Sequence, residues 1–182
     1  MAGMLIQVVL LIVNSGAGFL SVLLLLRFFM QAWRVPFNHP IGGFVLTLTS
    51  WLVLPLRKIL PPVFGFDSAS LVAAYLLQAL LLGVTISLYP GLAAPDLTQL
   101  LVLVLVRSLL ATLRLVVYMI IGLLIVQAVL SWFAPYSPLY RPLSQMTDPV
   151  LRPLRRIVPP VSGIDLTPLI ALLLAQIVLI FL

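Results

Sequence analysis

Four stretches of the sequence contain no charged side chain over about the length of one membrane crossing. These stretches are residues 1–26, 68–95, 115–140 and 166–182. An α-helix crosses the roughly 30 Å hydrocarbon core of a bilayer with about 20 residues. Charged residues make up only 8% of the chain, whereas a soluble domain carries about 25%. The sequence therefore predicts an all-α integral membrane protein with four transmembrane helices.

The composition argues against several kinds of chemistry. The chain has no cysteine and no glutamate, and His39 is its single histidine. Disulfides, thiolate zinc sites and iron–sulfur clusters are therefore excluded. No predicted span carries a histidine for haem, and the sequence has no phosphate-cradling glycine loop. We predict no enzymatic activity, no metal and no cofactor.

The formal net charge of +6 does not indicate nucleic-acid binding. A nucleic-acid platform needs basic residues interleaved with stacking aromatics on a polar face, and the sequence contains no such run. In a membrane protein, clustered basic residues set the topology and contact anionic headgroups. We therefore expect anionic lipids, and not nucleic acid, among the partners.

The basic residues concentrate in two connections between spans. One connection, residues 34–67, holds Arg34, Arg57 and Lys58, and the other, residues 134–165, holds four arginines. The positive-inside rule places both connections in the cytoplasm and both termini outside a bacterial inner membrane. The first span is expected to continue past Arg27. Because its basic residues follow the apolar stretch, we interpret it as an uncleaved span and not a secretory signal.

Residues 96–114 are mostly apolar but contain two arginines. Asp96, Arg107 and Arg114 are spaced 11 and 7 residues apart, which places all three on one helical face. We favour a helix that lies at the outer interface, with both arginines extending to water. The alternative is one long helix over about residues 97–133, whose charged face lines a polar groove.

The chain repeats itself at an offset of 98 residues. Residues 55–78 have the sequence PLRKILPPVFGFDSASLVAAYLLQ and residues 153–176 have PLRRIVPPVSGIDLTPLIALLLAQ, with 13 of 24 positions identical. Apolar periodicity alone would not match the charges, the double proline and the glycine together. We interpret the chain as a parallel tandem duplication of span, cytoplasmic segment and span. The units are residues 1–90, a connecting outer segment 91–114, and residues 115–182.

Each copy is predicted to carry a short amphipathic helix at the inner interface, between its two spans. The basic residues on its polar face are suited to lipid phosphates; they are Arg57, Lys58, Arg152, Arg155 and Arg156.

Proline and glycine are expected to set the limits of these helices. Asp148-Pro149 is expected to start the second helix, and Pro55 and Pro153 to break or kink the two helices. The double prolines are expected to end each helix, and a glycine to allow the turn back into the membrane. These residues are Pro61, Pro62 and Gly65 in the first copy, and Pro159, Pro160 and Gly163 in the second.

The core P-L-R-[RK]-Φ-Φ-P-P-Φ-x-G-Φ-D, present in both copies, resembles the YggT (or YlmG) family of small bacterial and plastid membrane proteins. The resemblance covers essentially the whole chain. Ser50-Trp51 stands where the second copy has Asp148-Pro149, so a role for that pair does not carry over to the first copy. The resemblance implies a four-span inner-membrane protein without established enzymatic activity. It also implies links to osmotic stress and cation uptake, to cell division, and in plastids to nucleoid distribution and cytochrome assembly.

An aspartate precedes the second span of each copy, ten residues after an arginine. One hypothesis is a pair of ion bridges, Arg57–Asp67 and Arg155–Asp165, that clamp each interfacial helix to the following span. The other is simple capping of the helix N-terminus. Capping suits Asp67 better than Asp165, because Thr167 and Pro168 already supply a cap and a first-turn proline.

Four glutamines are the polar groups to explain within the spans: Gln31, Gln78, Gln127 and Gln176. Hydrogen bonding between helices is the favoured interpretation, and a polar pathway is the alternative.

We therefore predict a non-enzymatic organising or assembly factor that binds anionic lipid and an unidentified protein partner. The alternative is an ion-conducting or osmotically responsive protein, which would be a homo-oligomer because four spans rarely enclose a pore.

Overall fold

A computed structural model describes residues 2–62, 65–88, 96–134, 136–158 and 165–182, and its described backbone is all-helical. Six α-helices follow one another: α1 (Ala2–Ala32), α2 (Pro40–Ile59), α3 (Ser68–Leu88), α4 (Leu97–Phe133), α5 (Tyr140–Ile157) and α6 (Thr167–Phe181). The apolar runs that predict the spans become α1, α3, α4 and α6, and the two basic connections contain α2 and α5.

Four of the described helices are long and apolar enough to cross a membrane: α1 from Gln7, α2, α3 and α4 up to Ser131. Three of these correspond to predicted spans. The helix α2 was expected to be a short interfacial segment, but it has 20 residues and is the least apolar of the four. The predicted fourth span, α6, is apolar but has only 15 residues.

The favoured prediction of a separate interfacial helix at residues 96–114 is wrong. Residues 97–133 form the single helix α4, as the alternative states. No proline lies within α4 and its first glycine is Gly122, so nothing in the backbone ends the helix. Arg107 and Arg114 do not interrupt the helix, because a charged side chain can leave the apolar surroundings while its backbone stays helical.

The predicted breaks at Pro55 and Pro153 and the predicted start of α5 at Asp148-Pro149 are also wrong, and the alternative of a kink at Pro55 and Pro153 stays a prediction. The helix α2 continues through Pro55, and α5 continues through Pro149 and Pro153. Each proline removes one amide donor, and the hydrogen bonds of the adjacent turns keep the backbone helical. Consequently α5 starts at Tyr140, a full two turns before the predicted Asp148 start.

The helices pack in two groups that meet along α4 and at a small core of Met30, Val35 and Met146. The helices α1, α2 and α3 contact one another, as do α4, α5 and α6, and α4 also packs against α1 and α3. The larger core combines buried leucines of α1, Val53 of α2, three alanines of α3 and Met119 of α4. A second core joins Leu124, Leu151 and Ala171. The small alanines allow α3 to approach α1 closely, which places the start of α3 beside the polar residues of α1 and α2.

Candidate functional site: a buried and an exposed arginine–aspartate pair

Asp67 is the centre of a buried polar cluster where α1, α2 and α3 meet. Its carboxylate is 1% exposed and accepts two hydrogen bonds from Arg57, from Nη2 at 2.6 Å and from Nε at 3.1 Å. The Ser70 hydroxyl donates to Asp67 Oδ2 at 2.6 Å. This bidentate arginine–carboxylate geometry is the strong form of an ion pair, and it ties the C-terminal end of α2 to the first turn of α3.

A second guanidinium, from Arg27 of α1, lies against the same carboxylate and is 3% exposed. Arg27 Nη1 donates to Thr49 Oγ1 at 2.8 Å and to Ser50 Oγ at 3.2 Å. Arg27 Nε lies 3.4 Å from Asp67 Oδ2 but forms no hydrogen bond with any described residue. Two arginines therefore share one aspartate, which leaves the buried cluster with one excess positive charge.

The environment of Asp67 favours its ionised form. Burial opposes ionisation, but the hydrogen bonds from Arg57 and Ser70 and the nearby charge of Arg27 outweigh it and hold the pKa of Asp67 below its usual range. The site therefore contains no acidic proton near neutral pH. It can bind a charge or hold helices together, but Asp67 is not poised to transfer a proton.

The second pair is formed by Arg155 and Asp165, which lie at the repeat positions of Arg57 and Asp67. Arg155 Nε donates to Asp165 Oδ2 at 3.0 Å, and both side chains are 41% exposed. Asp165 Oδ1 also accepts the Thr167 amide at 3.0 Å. Partial burial opposes ionisation of Asp165, but the bonds from Thr167 and Arg155 lower its pKa.

Both predicted ion pairs are thus confirmed. Asp165 also accepts the amide of Thr167, the first residue of α6, while the N-cap position itself is Leu166, which has no side-chain cap hydrogen bond. The Asp67 carboxylate pairs with its arginine and accepts the hydroxyl, not the amide, of Ser70.

The two arginine–aspartate pairs differ in the additional charged residue that contacts each of them. In the first copy the additional partner is the cation Arg27, which is 3% exposed. In the second copy it is the anion Asp148, which contacts Arg152 at 3.1 Å and Arg155 at 3.5 Å on the α5 surface. Ile125 occupies the repeat position of Arg27. A buried basic cluster and an exposed, mixed-charge cluster therefore stand at equivalent positions.

Three of the four glutamines bond to other elements, as the packing interpretation predicts. Gln78 donates to Ser21 of α1 at 3.0 Å, and buried Gln127 accepts the Thr147 hydroxyl of α5. Gln31 lies beside the first cluster, where its Nε2 donates to the Gly65 carbonyl at 3.3 Å. Gln176 is exposed on α6.

The other predicted residues lie around these pairs. Lys58, Arg152, Arg156, Pro61 and Pro62 are exposed. Gly65 has a φ of 80°, which supports the predicted role of glycine in this turn because other residues rarely adopt that conformation. Pro159, Pro160 and Gly163 lie outside the described residues.

Sequence reasoning missed Arg27 as a member of the site. It has no counterpart in the second copy, so the repeat did not draw attention to it. A different signal was available, because an arginine within an otherwise charge-free span requires a partner. His39 was also missed as the N-cap of α2, where its Nδ1 accepts the Gly42 amide at 3.1 Å.

The fold and the two clusters define a small helical membrane protein with two arginine–aspartate pairs. The CCB3/YggT family model matches residues 6–89 and again residues 106–182, and the chain belongs to this family.

The relatives of the chain are bacterial and plastid proteins. It is 33% identical to the uncharacterized protein YggT of Escherichia coli K12 over 87% of this chain and 80% of that protein. An uncharacterized Pseudomonas aeruginosa protein is also 33% identical, over 86% and 79%. A chloroplastic YlmG homolog of Arabidopsis thaliana is 42% identical over 28% of this chain and 21% of its own. No solved structure matches the chain.

Proposed function

We propose that the protein is a non-enzymatic organising or assembly factor of the bacterial inner membrane. Its two basic helix ends would contact anionic lipid and a protein partner at the cytoplasmic face. The observation that carries this proposal is the same exposed pair of residues at the last turn of α2 and of α5. Lys58 is followed by Ile59, which is 80% exposed, and Arg156 is followed by Ile157, which is 76% exposed.

A cationic side chain next to an exposed apolar one suits a membrane interface. The isoleucine enters the acyl boundary while the cation meets lipid phosphates. The helix α5 supports this assignment, because its buried residues include Leu143, Met146 and Leu151, while Arg152 and Arg156 are exposed. The proposed tandem, parallel arrangement of the two copies would place both helix ends on one side of the membrane.

The ion pairs explain how these helix ends would be held. Arg57 and Arg155 each bond to an aspartate at the start of the next helix, which fixes the end of α2 or α5 relative to α3 or α6. Lys58 and Arg156 lie outside the described ion pairs and extend outward. In this proposal the first residue of each basic pair is structural and the second one is available for binding.

The test compares Lys58→Gln/Arg156→Gln with the matched control Arg141→Gln, which removes an exposed arginine from the other end of α5. Spin-labelled phosphatidylglycerol and phosphatidylcholine report the lipid selectivity of each reconstituted protein. We expect the preference for phosphatidylglycerol to fall about fivefold for each charge removed in the double variant, and to persist in Arg141→Gln. An unchanged preference in the double variant contradicts the lipid part of the proposal.

The partner part is tested with a photo-crosslinker at position 58 or 156 in cells. We expect a discrete protein adduct that is absent when the same crosslinker stands at the exposed Ile180 of α6. Identical adduct patterns at all three positions contradict a partner surface at the helix ends.

Ion conduction is tested separately with purified protein in liposomes. Gln78 and Gln127 are engaged in interhelical hydrogen bonds, so we expect no cation flux above that of empty vesicles. Robust flux that is lost in Gln78→Leu or Gln176→Leu would overturn the organising role in favour of conduction.

A further inference from the structure

A mostly apolar groove with a few polar side chains runs between α1, α3 and α4, away from the Arg27–Asp67 cluster. It consists of two adjoining cavities of about 240 and 440 Å³ that share Gln78, Arg107, Ala111 and Leu115 as lining residues. Arg114 lines the smaller cavity, and Asn14 and Thr85 line the larger one. Two arginines of one helix thus face the same groove.

The groove lies well inside the apolar length of the bundle. Gln78 is ten residues from each end of α3, which spans Ser68–Leu88. At about 1.5 Å per residue, this is roughly 15 Å from either end of the helix, close to the middle of a 30 Å hydrocarbon core. Thr85 is nearer the end of α3 remote from Asp67. The groove therefore extends from mid-span toward that end.

Arg107 and Arg114 are both exposed residues, and neither forms an ion pair with a described carboxylate. Asp67, Asp148 and Asp165 are paired with other arginines. Asp96 is 11 residues from Arg107 on the same face of α4, about 16 Å along the helix. An ionised side chain at this depth is costly without a partner and marks a functional site by default. The groove thus contains two positive charges that an anion would neutralise.

We propose that this groove binds a phosphate-bearing anion, with Arg107 and Arg114 as its ligands. The planar guanidinium donates paired hydrogen bonds that match phosphate oxygens. The two arginines are seven residues apart, two turns along one face of α4, so both reach an anion lying along the groove. Leu82, Leu110 and Leu115 in the same walls suit a lipid bearing the phosphate. The same charges disfavour a cation in the groove.

This inference is independent of the proposed function, which concerns Lys58 and Arg156 at the helix ends. Its test is native mass spectrometry of the full chain in neutral detergent, titrated with phosphatidylglycerol, phosphatidylcholine or inorganic phosphate. We expect one phosphatidylglycerol to bind at least about tenfold more tightly to the wild type than to Arg107→Gln or Arg114→Gln. Arg141→Gln, which removes an arginine outside the groove, should retain wild-type affinity.

The three titrants separate the two sources of phosphate. Selective binding of phosphatidylglycerol supports a lipid ligand, and binding of inorganic phosphate that depends on both arginines supports a soluble anion. Equal binding of phosphatidylcholine, a highest affinity for phosphatidylglycerol that is unchanged by both arginine substitutions, or no binding of either anion would overturn the site. Should a glutamine variant fail to fold, Arg107→Lys and Arg114→Lys replace it. These variants keep the charge but lose the bidentate geometry, and undiminished affinity in both would contradict the arginine ligands.

Discussion

At the scale of single residues, Asp67 and Asp165 show how one motif position can serve two energetic roles. Both pair with the arginine ten residues before them, yet their side-chain exposures are 1% and 41%. An exposed ion pair is screened by water and contributes little. Removing one member of a buried pair leaves an uncompensated charge in a low-dielectric site. The same substitution should therefore have unequal consequences at the two positions.

We predict that Asp67→Asn lowers the free energy of unfolding by about 3 kcal/mol or more, because Arg27 and Arg57 lose their common counter-charge. Asp165→Asn, the matched variant, should cost no more than about 1 kcal/mol. Denaturant unfolding of the purified protein in one detergent measures both values. Equal losses would show that the burial of Asp67 carries no energetic weight.

The lowered pKa of Asp67 predicts a pH dependence of stability. A free aspartate has a pKa of about 3.9, and that of folded Asp67 is lower. The contribution of the carboxylate is therefore complete above about pH 4 to 5 and is lost as the pH falls through the folded value, because protonation removes the charge that pairs with Arg57. Asp165 has the same sign of shift, with a smaller effect because it is exposed.

The measurement is the thermal midpoint between pH 7 and pH 3 in a detergent whose headgroup does not titrate. Wild type should show a plateau and then a decline in the acid range, and Asp67→Asn should start lower and decline less. A parallel decline in both proteins would assign the acid effect to other groups.

The arginine–aspartate pairs could be predicted from the sequence, but the different burial of the two pairs could not. The repeat fixed the ten-residue spacing of arginine and aspartate in both copies, and the turn between them makes pairing possible. Burial depends on which side chain a neighbouring helix supplies, and Arg27 comes from a helix outside the motif. The repeat could not reveal a partner that only one copy has.

At the scale of helices, the start of α2 depends on a close backbone approach. A Cβ added to Gly42 would lie 2.5 Å from the Phe37 carbonyl oxygen, whereas one added to Gly43 would meet nothing within 4 Å. The Gly42 amide also completes the His39 cap. Adjacent glycines thus offer a variant and its control in the same helical turn.

We predict that Gly42→Ala destabilises the protein by about 1–3 kcal/mol, because the backbone of Phe37 must move. Gly43→Ala should be neutral or stabilise by up to about 1 kcal/mol through its helix propensity. Thermal unfolding of both variants provides the comparison. A stabilised Gly42→Ala protein would contradict the close approach.

The helices themselves were predictable where backbone chemistry and hydropathy agree, as in α1 and α3. The prediction errors arose where a single arginine or proline was interpreted as the end of a helix. Arg107 and Arg114 suggested a boundary within α4, and Pro55 and Pro153 suggested breaks in α2 and α5. A single unfavourable residue does not end a helix when the turns on both sides remain hydrogen-bonded and packed, and packing partners are not visible in a single sequence.

At the scale of the whole molecule, the distribution of basic residues predicts that the basic connections of both copies lie on the same side of the membrane. The chain has no cysteine, so introduced cysteines report position without background. In intact cells a membrane-impermeant maleimide should leave Lys58→Cys and Arg156→Cys unlabelled and should label Asp96→Cys. After permeabilisation all three should react. Labelling of only one of the two basic positions in intact cells would contradict a parallel arrangement of the copies.

The length of α4 has a consequence for the way the molecule responds to its lipid surroundings. A helix of 37 residues measures about 55 Å, nearly twice the thickness of the hydrocarbon core. It must lean or project beyond the core. Met119 of α4 packs in the larger hydrophobic core, and Leu124 packs in the core with Leu151 and Ala171. A change in the tilt of α4 would therefore alter the packing of both groups of helices. We therefore expect a change in bilayer thickness that tilts α4 to move the two basic helix ends relative to each other.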